Sequence, residues 1–218
     1  MTDPQALNAG PVWQLLTRLG EAQILIPAAL LMLLVLFARS ETRRFAFNWL
    51  ALATLATLIT TASKLAFLGW GLGLADFNFT GFSGHAMFAA AIYPVLAFTV
   101  LPGGAQGNSR LALALGAALA LLVGISRLMV GAHSGSEVVA GLLLGGIASA
   151  LAIRWTKPSV GRVHAAVPVL LVVWFLSMPF KLPGSQTHSW VTRLALSLSG
   201  HDAPFTRSQL LTPARTPV

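Results

Sequence analysis

Residues 126–137 read SRLMVGAHSGSE and bring Ser126, Arg127, His133 and Glu137 into one short stretch of a very apolar chain. Glu137 follows His133 by four residues, so a helix opening near 137 places its carboxylate against the imidazole. One ring nitrogen is then committed to the carboxylate, and the other faces outward as base or nucleophile. Arg127 adds a planar fork of donors suited to phosphate or carboxylate. A second stretch, FSGHA, offers Ser83, Gly84 and His85 at the expected start of another helix, where free N–H groups and the helix dipole attract an oxyanion. Lys64 falls near the end of the apolar run before it. An ammonium, a hydroxyl beside backbone amides, a guanidinium and two imidazoles are the parts of phosphoryl transfer through a histidine. One His attacks phosphorus, the cations neutralise the equatorial oxygens, and the other His protonates the leaving oxygen. This chemistry calls for no metal and no cofactor. Asp76, Glu137 and Glu21 are the carboxylates expected on or near this face, too few for a two-metal site. The chain has no Cys, which removes thiolate ligands, a thiolate nucleophile and disulfides.

The elements that must hold these residues are membrane helices. Of 218 residues 56% are hydrophobic and only 9% charged, against about 25% charged in a soluble domain, and the mean hydropathy is +0.76. Six apolar stretches, 22–38, 47–68, 85–101, 111–130, 137–153 and 163–180, approach the roughly 20 residues that cross a bilayer as a helix. Their continuous Leu, Ala and Val runs lack the alternation of barrel strands. The expected organisation is an amphipathic interfacial segment at 1–21, a six-span domain at 22–180, and an amphipathic and flexible tail at 181–218. The first span is expected to stay, because no basic n-region or small-residue cleavage site accompanies it. Leu7, Val12, Trp13, Leu15, Leu16 and Leu19, and again Trp190, Val191, Leu194 and Leu198, share helical sectors suited to the headgroup layer. Pro204, Pro213 and Pro217 mark the tail as flexible.

Charge gives the orientation. The formal net charge of +8 is scattered among loops rather than gathered in a stripe, which points to anionic lipid and not to nucleic acid. Arg39, Arg43, Arg44, Arg110, Arg154, Lys157 and Arg162 fall in the loops after spans 1, 3 and 5, so these loops are expected in the cytoplasm and the polar clusters on the outer face. The short loops fit a bacterial inner membrane with the site facing the periplasm or outside. Trp49, Trp70 and Trp155 fall near expected span ends, where indole rings favour the interface.

These residues resemble the type 2 phosphatidic acid phosphatase family, the membrane branch of a superfamily that includes vanadium haloperoxidases. Its motifs read K-x6-R-P, P-S-G-H and S-R-x5-H-x3-D. Here the third appears as Ser126, Arg127, His133 and Glu137 at the family spacing, and the second as Phe82, Ser83, Gly84 and His85. The resemblance covers about residues 47–153. It implies an all-α integral membrane six-helix bundle and a metal-independent phosphatase acting on a lipid phosphomonoester or diphosphate. By the same resemblance His133 would be the nucleophile that becomes a phosphohistidine, Glu137 its orienting acid and His85 the general acid. Lys64, Ser83, Gly84 and Arg127 would bind phosphate, with Ser126 beside them. Three positions depart from the pattern: Glu137 replaces Asp, Phe82 replaces Pro, and Gly71 stands seven residues after Lys64 where the family keeps Arg, with no Pro following. Losing one such cation costs about 2.7–4 kcal/mol of transition-state stabilisation by analogy with a deleted oxyanion donor. In GWGLGLADFNFTG the polar residues are Asp76, Asn78 and Thr80, none of them a cation.

Each feature also has a plainer reading. His133 with Glu137 can stabilise a helix start, His85 can cap a helix, and Lys64 can snorkel to headgroups. Asp76 reads as a solvated loop residue, and His164, His188 and His201 as residues outside the cluster. Tyr93-Pro94 reads as a kink and Gly141 with Gly145 as close helix packing. Two functional alternatives stay open: a lipid-to-lipid phosphotransferase using the same site, and a non-catalytic membrane protein that binds or carries anionic lipid. Neither the lipid nor the oligomeric state is legible.

Overall fold

The computed structural model describes residues 10–101, 109–156, 158, 160, 163–184 and 186–212. Leu7, Lys157, Arg162, Pro213, Arg215 and Pro217 lie outside the described residues. Among the described residues the chain is helical, with no strand beyond an isolated Leu74–Phe79 bridge. The helices are α1 (Pro11–Arg18), α2 (Ala22–Phe37), α3 (Ser40–Trp70), α4 (Gly84–Val100), α5 (Ser109–Met129), α6 (Gly135–Thr156), α7 (Ala166–Lys181), α8 (Thr187–Ser199) and α9 (Arg207–Leu211).

All six apolar stretches form helices, α2 to α7. By length and composition α3, α5 and α6 are able to cross a membrane, and α1 with α2, bent by 41° at their junction, makes a fourth candidate. At 17 and 16 residues α4 and α7 are shorter apolar helices, so the expected six crossings reduce to three or four on this criterion. Leucines such as Leu34, Leu58 and Leu143 are exposed on the outer surface, as the hydrocarbon-facing side of a membrane bundle requires.

The core is built around α4. Its Ala86, Ala89, Ala90 and Ala91 present little bulk and are almost wholly buried, which lets α5 and α6 pack closely against it. Gly141 and Gly145 are the approach points on α6, since a Cβ at Gly145 would stand 2.1 Å from the Met87 carbonyl oxygen and one at Gly141 2.6 Å from that of Ser83. The small-residue pair thus serves helix packing. Pro94 sits inside α4, where Gly116 of α5 packs against its backbone. Trp49 departs from the interfacial placement expected of it: α3 begins at Ser40, so Trp49 lies inside the helix, 1% exposed, and its indole donates to the Ala91 carbonyl at 2.9 Å. An indole N–H can be buried at this depth because α4 offers it an acceptor.

A second, smaller cluster sits at one end of the bundle. Phe67, Leu68 and Ala195 are buried together with Leu65, Val191, Phe205 and Leu210 packed on them. Residues 201–212, expected to belong to a flexible tail, are therefore docked on the end of α3, and the Phe205 N–H donates to the Leu68 carbonyl at 3.0 Å. Thr206 and Gln209 form a capping box that starts α9.

The close contact of α6 with α4 has a measurable consequence. Gly145→Val places bulk against the backbone of α4 and is expected to cost about 1–3 kcal/mol through overpacking. Gly146 has nothing within 4 Å of an added Cβ. In detergent, Gly145→Val should lower Tm or yield little folded protein, whereas Gly146→Ala should match the parent.

Candidate active site

Helix direction gathers the polar residues. The N-terminal ends of α2, α4 and α6 and the C-terminal ends of α3 and α5 meet around one cavity of about 650 Å3. It is lined by Lys64, Gly84, His85, Arg127 and His133, so residues from three separate stretches share one space. Lys64 reaches the first turn of α4, where a Cβ added at Gly84 would stand 3.6 Å from its Nζ.

The His133–Glu137 pair forms as the spacing predicts. His133 Nδ1 lies 2.8 Å from Glu137 Oε2, and against a carboxylate the ring donates from Nδ1. Nε2 is left as the unprotonated nitrogen of the neutral ring. Glu137 itself is fully buried. Its Oε2 also accepts from the Ser134 N–H at 3.1 Å, and its Oε1 from the Thr80 N–H at 2.8 Å and the Thr80 hydroxyl at 2.5 Å. The Arg207 guanidinium completes the shell, with Nη2 2.8 Å from both carboxylate oxygens. The Ser83 N–H donates to the Glu137 backbone carbonyl at 3.1 Å, which ties the start of α4 to the start of α6.

Several buried polar atoms near this end have no protein partner. They include Thr60 Oγ1, Ser83 Oγ and Arg127 Nε. Thr60 lies beside Gly84, and Ser83 is the residue before α4, so two of these orphans border the helix N-terminus to which Lys64 points. Buried polar atoms without partners are costly, and an oxyanion at the N-terminus of α4 is a ligand that would satisfy them. Arg127 is held from behind, its Nη1 donating to Thr17 Oγ1 at 2.5 Å. Among the described residues no three His, Cys, Asp or Glu side chains cluster as a metal site.

Ser83 and Ser126, both expected phosphate contacts, are absent from the cavity wall, and of the two Ser126 is tied back to its own helix. Its side chain is fully buried and its hydroxyl donates to the Val123 carbonyl at 2.6 Å, one turn back on α5. Asp76 is exposed in the 3-10 turn Ala75–Phe77, away from the cavity lining. His188 differs from the sequence reading, since the start of α8 places it on the cavity wall. His201 instead bonds the Gly69 carbonyl at 2.9 Å, and His164 accepts from the Ala166 N–H at 3.2 Å, outside the cavity lining. Glu21, buried, also lines the cavity, at the junction where Gly20 presses against His85.

Comparison with known proteins gives the family of the chain. The model of the PAP2 superfamily matches residues 58–160, which span Lys64 to Glu137. The chain belongs to the PAP2 superfamily. It is similar to an "Uncharacterized 22.5 kDa protein in cps region" of Klebsiella pneumoniae, 38% identical over 205 residues that cover 91% of this chain and 97% of that protein. No solved structure matches the chain. Set against the PAP2 motifs, Gly71 is the C-cap of α3 with φ +70°, and the Phe205 ring lies where a side chain would begin, 2.9 Å from an added Cβ. A left-handed backbone and an occupied space both disfavour an arginine there.

The ring of His133 lies in the turn between α5 and α6, and burial pushes its pKa below the usual 6.5. The hydrogen bond to Glu137 opposes this shift, while Lys64 and Arg127 act in the same direction as burial. The neutral ring therefore persists as pH falls through 6.5, and protonation comes only at lower pH. Titration of histidine-labelled protein by NMR, with the resonance assigned from His133→Ala, should give a midpoint below 6.5. A midpoint at or above that value would show that the bond to Glu137 outweighs burial.

Proposed function

We propose that this chain is a PAP2-type membrane phosphatase that hydrolyses a phosphomonoester or diphosphate on a lipid through a phosphohistidine. The observation that carries this reading is the shared cavity. A histidine held at Nδ1 by a buried carboxylate faces the same space as a lysine, an arginine, a helix N-terminus and a second histidine. Phe67, Leu68 and Phe88 line the same cavity and suit the apolar part of a lipid next to its headgroup.

In the first step the Nε2 lone pair of His133 forms the N–P bond as the P–O bond to the lipid breaks. His85 passes its proton to the departing oxygen, and Glu137 stabilises the charge that develops on the His133 ring. Lys64, Arg127 and the α4 N-terminus hold the equatorial oxygens. In the second step water attacks phosphorus, the P–N bond breaks, and His85 takes the proton from water. Inorganic phosphate leaves and His133 returns to its neutral form. The side chains and backbone amides named supply the nucleophile, the proton donor and the charge neutralisation, so the proposed cycle calls for no metal.

Arg39, Arg43, Arg110 and Arg154 belong to helix ends opposite the cavity. With these ends in the cytoplasm of a bacterium, the six apolar helices form a bundle in the inner membrane and the cavity opens on the outer side.

The test is a panel of lipid phosphates incubated with purified protein in the presence of chelator. Phosphate release is expected from at least one of them, at a rate chelator does not lower. His133→Ala should reduce the rate by at least about 10³-fold, because removal of a nucleophile leaves only binding and oxyanion stabilisation. Glu137→Asp should retain activity, since the family carries Asp here. Equal release by His133→Ala and the parent would refute the reading, and label appearing on a second lipid instead of in solution would make the protein a phosphotransferase.

A further inference from the structure

The carboxylate behind His133 is held by a residue from far along the chain. Arg207 reaches Glu137 across a separation of 70 residues and places Nη2 2.8 Å from each oxygen. Its other amino group is fixed in turn, Nη1 standing 2.6 Å from Asn78 Oδ1 and 3.0 Å from the Asn78 carbonyl. The guanidinium is therefore clamped between the 74–80 loop and the start of α6, and it also lines the cavity. The clamp depends on docking. Phe205 rests on Gly71, its N–H is bound to Leu68, and Leu210 packs beside Gly73, where an added Cβ would stand 2.9 Å from its Cδ2.

From this arrangement we infer that Arg207 is a positioning residue of the active site, delivered by the docked C-terminal segment, that orients Glu137 and through it His133. The inference rests on the phosphatase reading for its kinetic consequence and on geometry for its existence. A buried carboxylate needs donors to stay ionised, and a guanidinium on both oxygens fixes its plane as well as its charge. Arg207 also puts a cation at the cavity wall in a chain whose position 71 carries none. The glycine and the arginine thus belong to one solution: the bare α3 C-cap gives Phe205 its seat, and that seat brings Arg207 to Glu137.

The sign of its effect on His133 follows from charge. Lys64 on α3, His85 on α4, Arg127 on α5 and Glu137 on α6 act on the ring, and His188 on α8 and Glu21 before α2 share its cavity. Arg207 offsets the negative charge of Glu137. Without it the carboxylate draws a proton to His133 more strongly, so the ring protonates at higher pH.

The experiment compares Arg207→Gln and Arg207→Lys with the parent in the full chain. In Arg207→Gln, kcat should fall about 10- to 100-fold, the loss of a charge-assisted pair. The acid limb of kcat/KM should move up by about one pH unit. Arg207→Lys keeps the charge but not the fork, so its limb should stay near the parent's while kcat recovers only in part. Parent kinetics in Arg207→Gln would overturn the inference. So would equal losses in both variants with an unmoved limb, since that pattern marks a merely structural tail. If the parent releases no phosphate, the phosphatase reading fails first. The inference is then decided by NMR titration of His133: a midpoint raised in Arg207→Gln supports it, and an unchanged one overturns it.

Discussion

A carboxylate with no solvent contact has to be surrounded by donors, and Glu137 meets that requirement with groups from three parts of the chain. His133 and Ser134 come from the turn before α6, Thr80 from the loop after α3, and Arg207 from the segment after α8. An isolated buried charge would cost several kcal/mol, so these bonds form together or the ion is not tolerated. Much of the architecture at this end of the molecule follows from it. The 74–80 loop is pinned to α6, the C-terminal segment is drawn over the end of α3, and His133 is left with one ring nitrogen committed and one available.

Helix packing sets the distances over which that network can close. Gly141 and Gly145 let α6 lie against α4, and the contact of Gly141 with the Ser83 carbonyl is the last of them before the cavity. One turn earlier on α6, the Glu137 carbonyl accepts from the Ser83 N–H. The glycine stripe and the turn that carries His133 are thus parts of one interface. A shift of α6 by one side-chain diameter would separate His133 from the N-terminus of α4 and from Lys64, which share its cavity. Packing density and chemistry are coupled here because both helices carry site residues in their first turns.

Much of the site was legible because its parts are local. SRLMVGAHSGSE contains the His–Glu pair at a spacing that a helix start turns into a contact, and FSGHA contains a helix N-terminus. Other features were not legible. Ser126 lies next to Arg127 in sequence, but on a helix it points about 100° away and bonds its own α5 backbone instead of entering the cavity. Trp49 looked interfacial until the start of α3 moved it inward onto Ala91. Arg207 carried no local signal of function. The one hint in its surroundings was the Thr206–Gln209 capping box, which marks a helix start inside a stretch that proline and polar residues make look loose.

The sequence by itself determined that the chain is an apolar helical protein with a histidine, a carboxylate and an arginine at the spacing of the PAP2 motif. Those properties are set by composition and by contacts within a few residues, where helical periodicity is enough. The tertiary structure alone decided which cation stands behind Glu137, which histidine beyond the motifs reaches the cavity, and why Gly71 is a seat for Phe205. Those facts depend on how far chain segments over a hundred residues apart are drawn together to satisfy one buried charge and one small apolar cluster, and no local pattern encodes that.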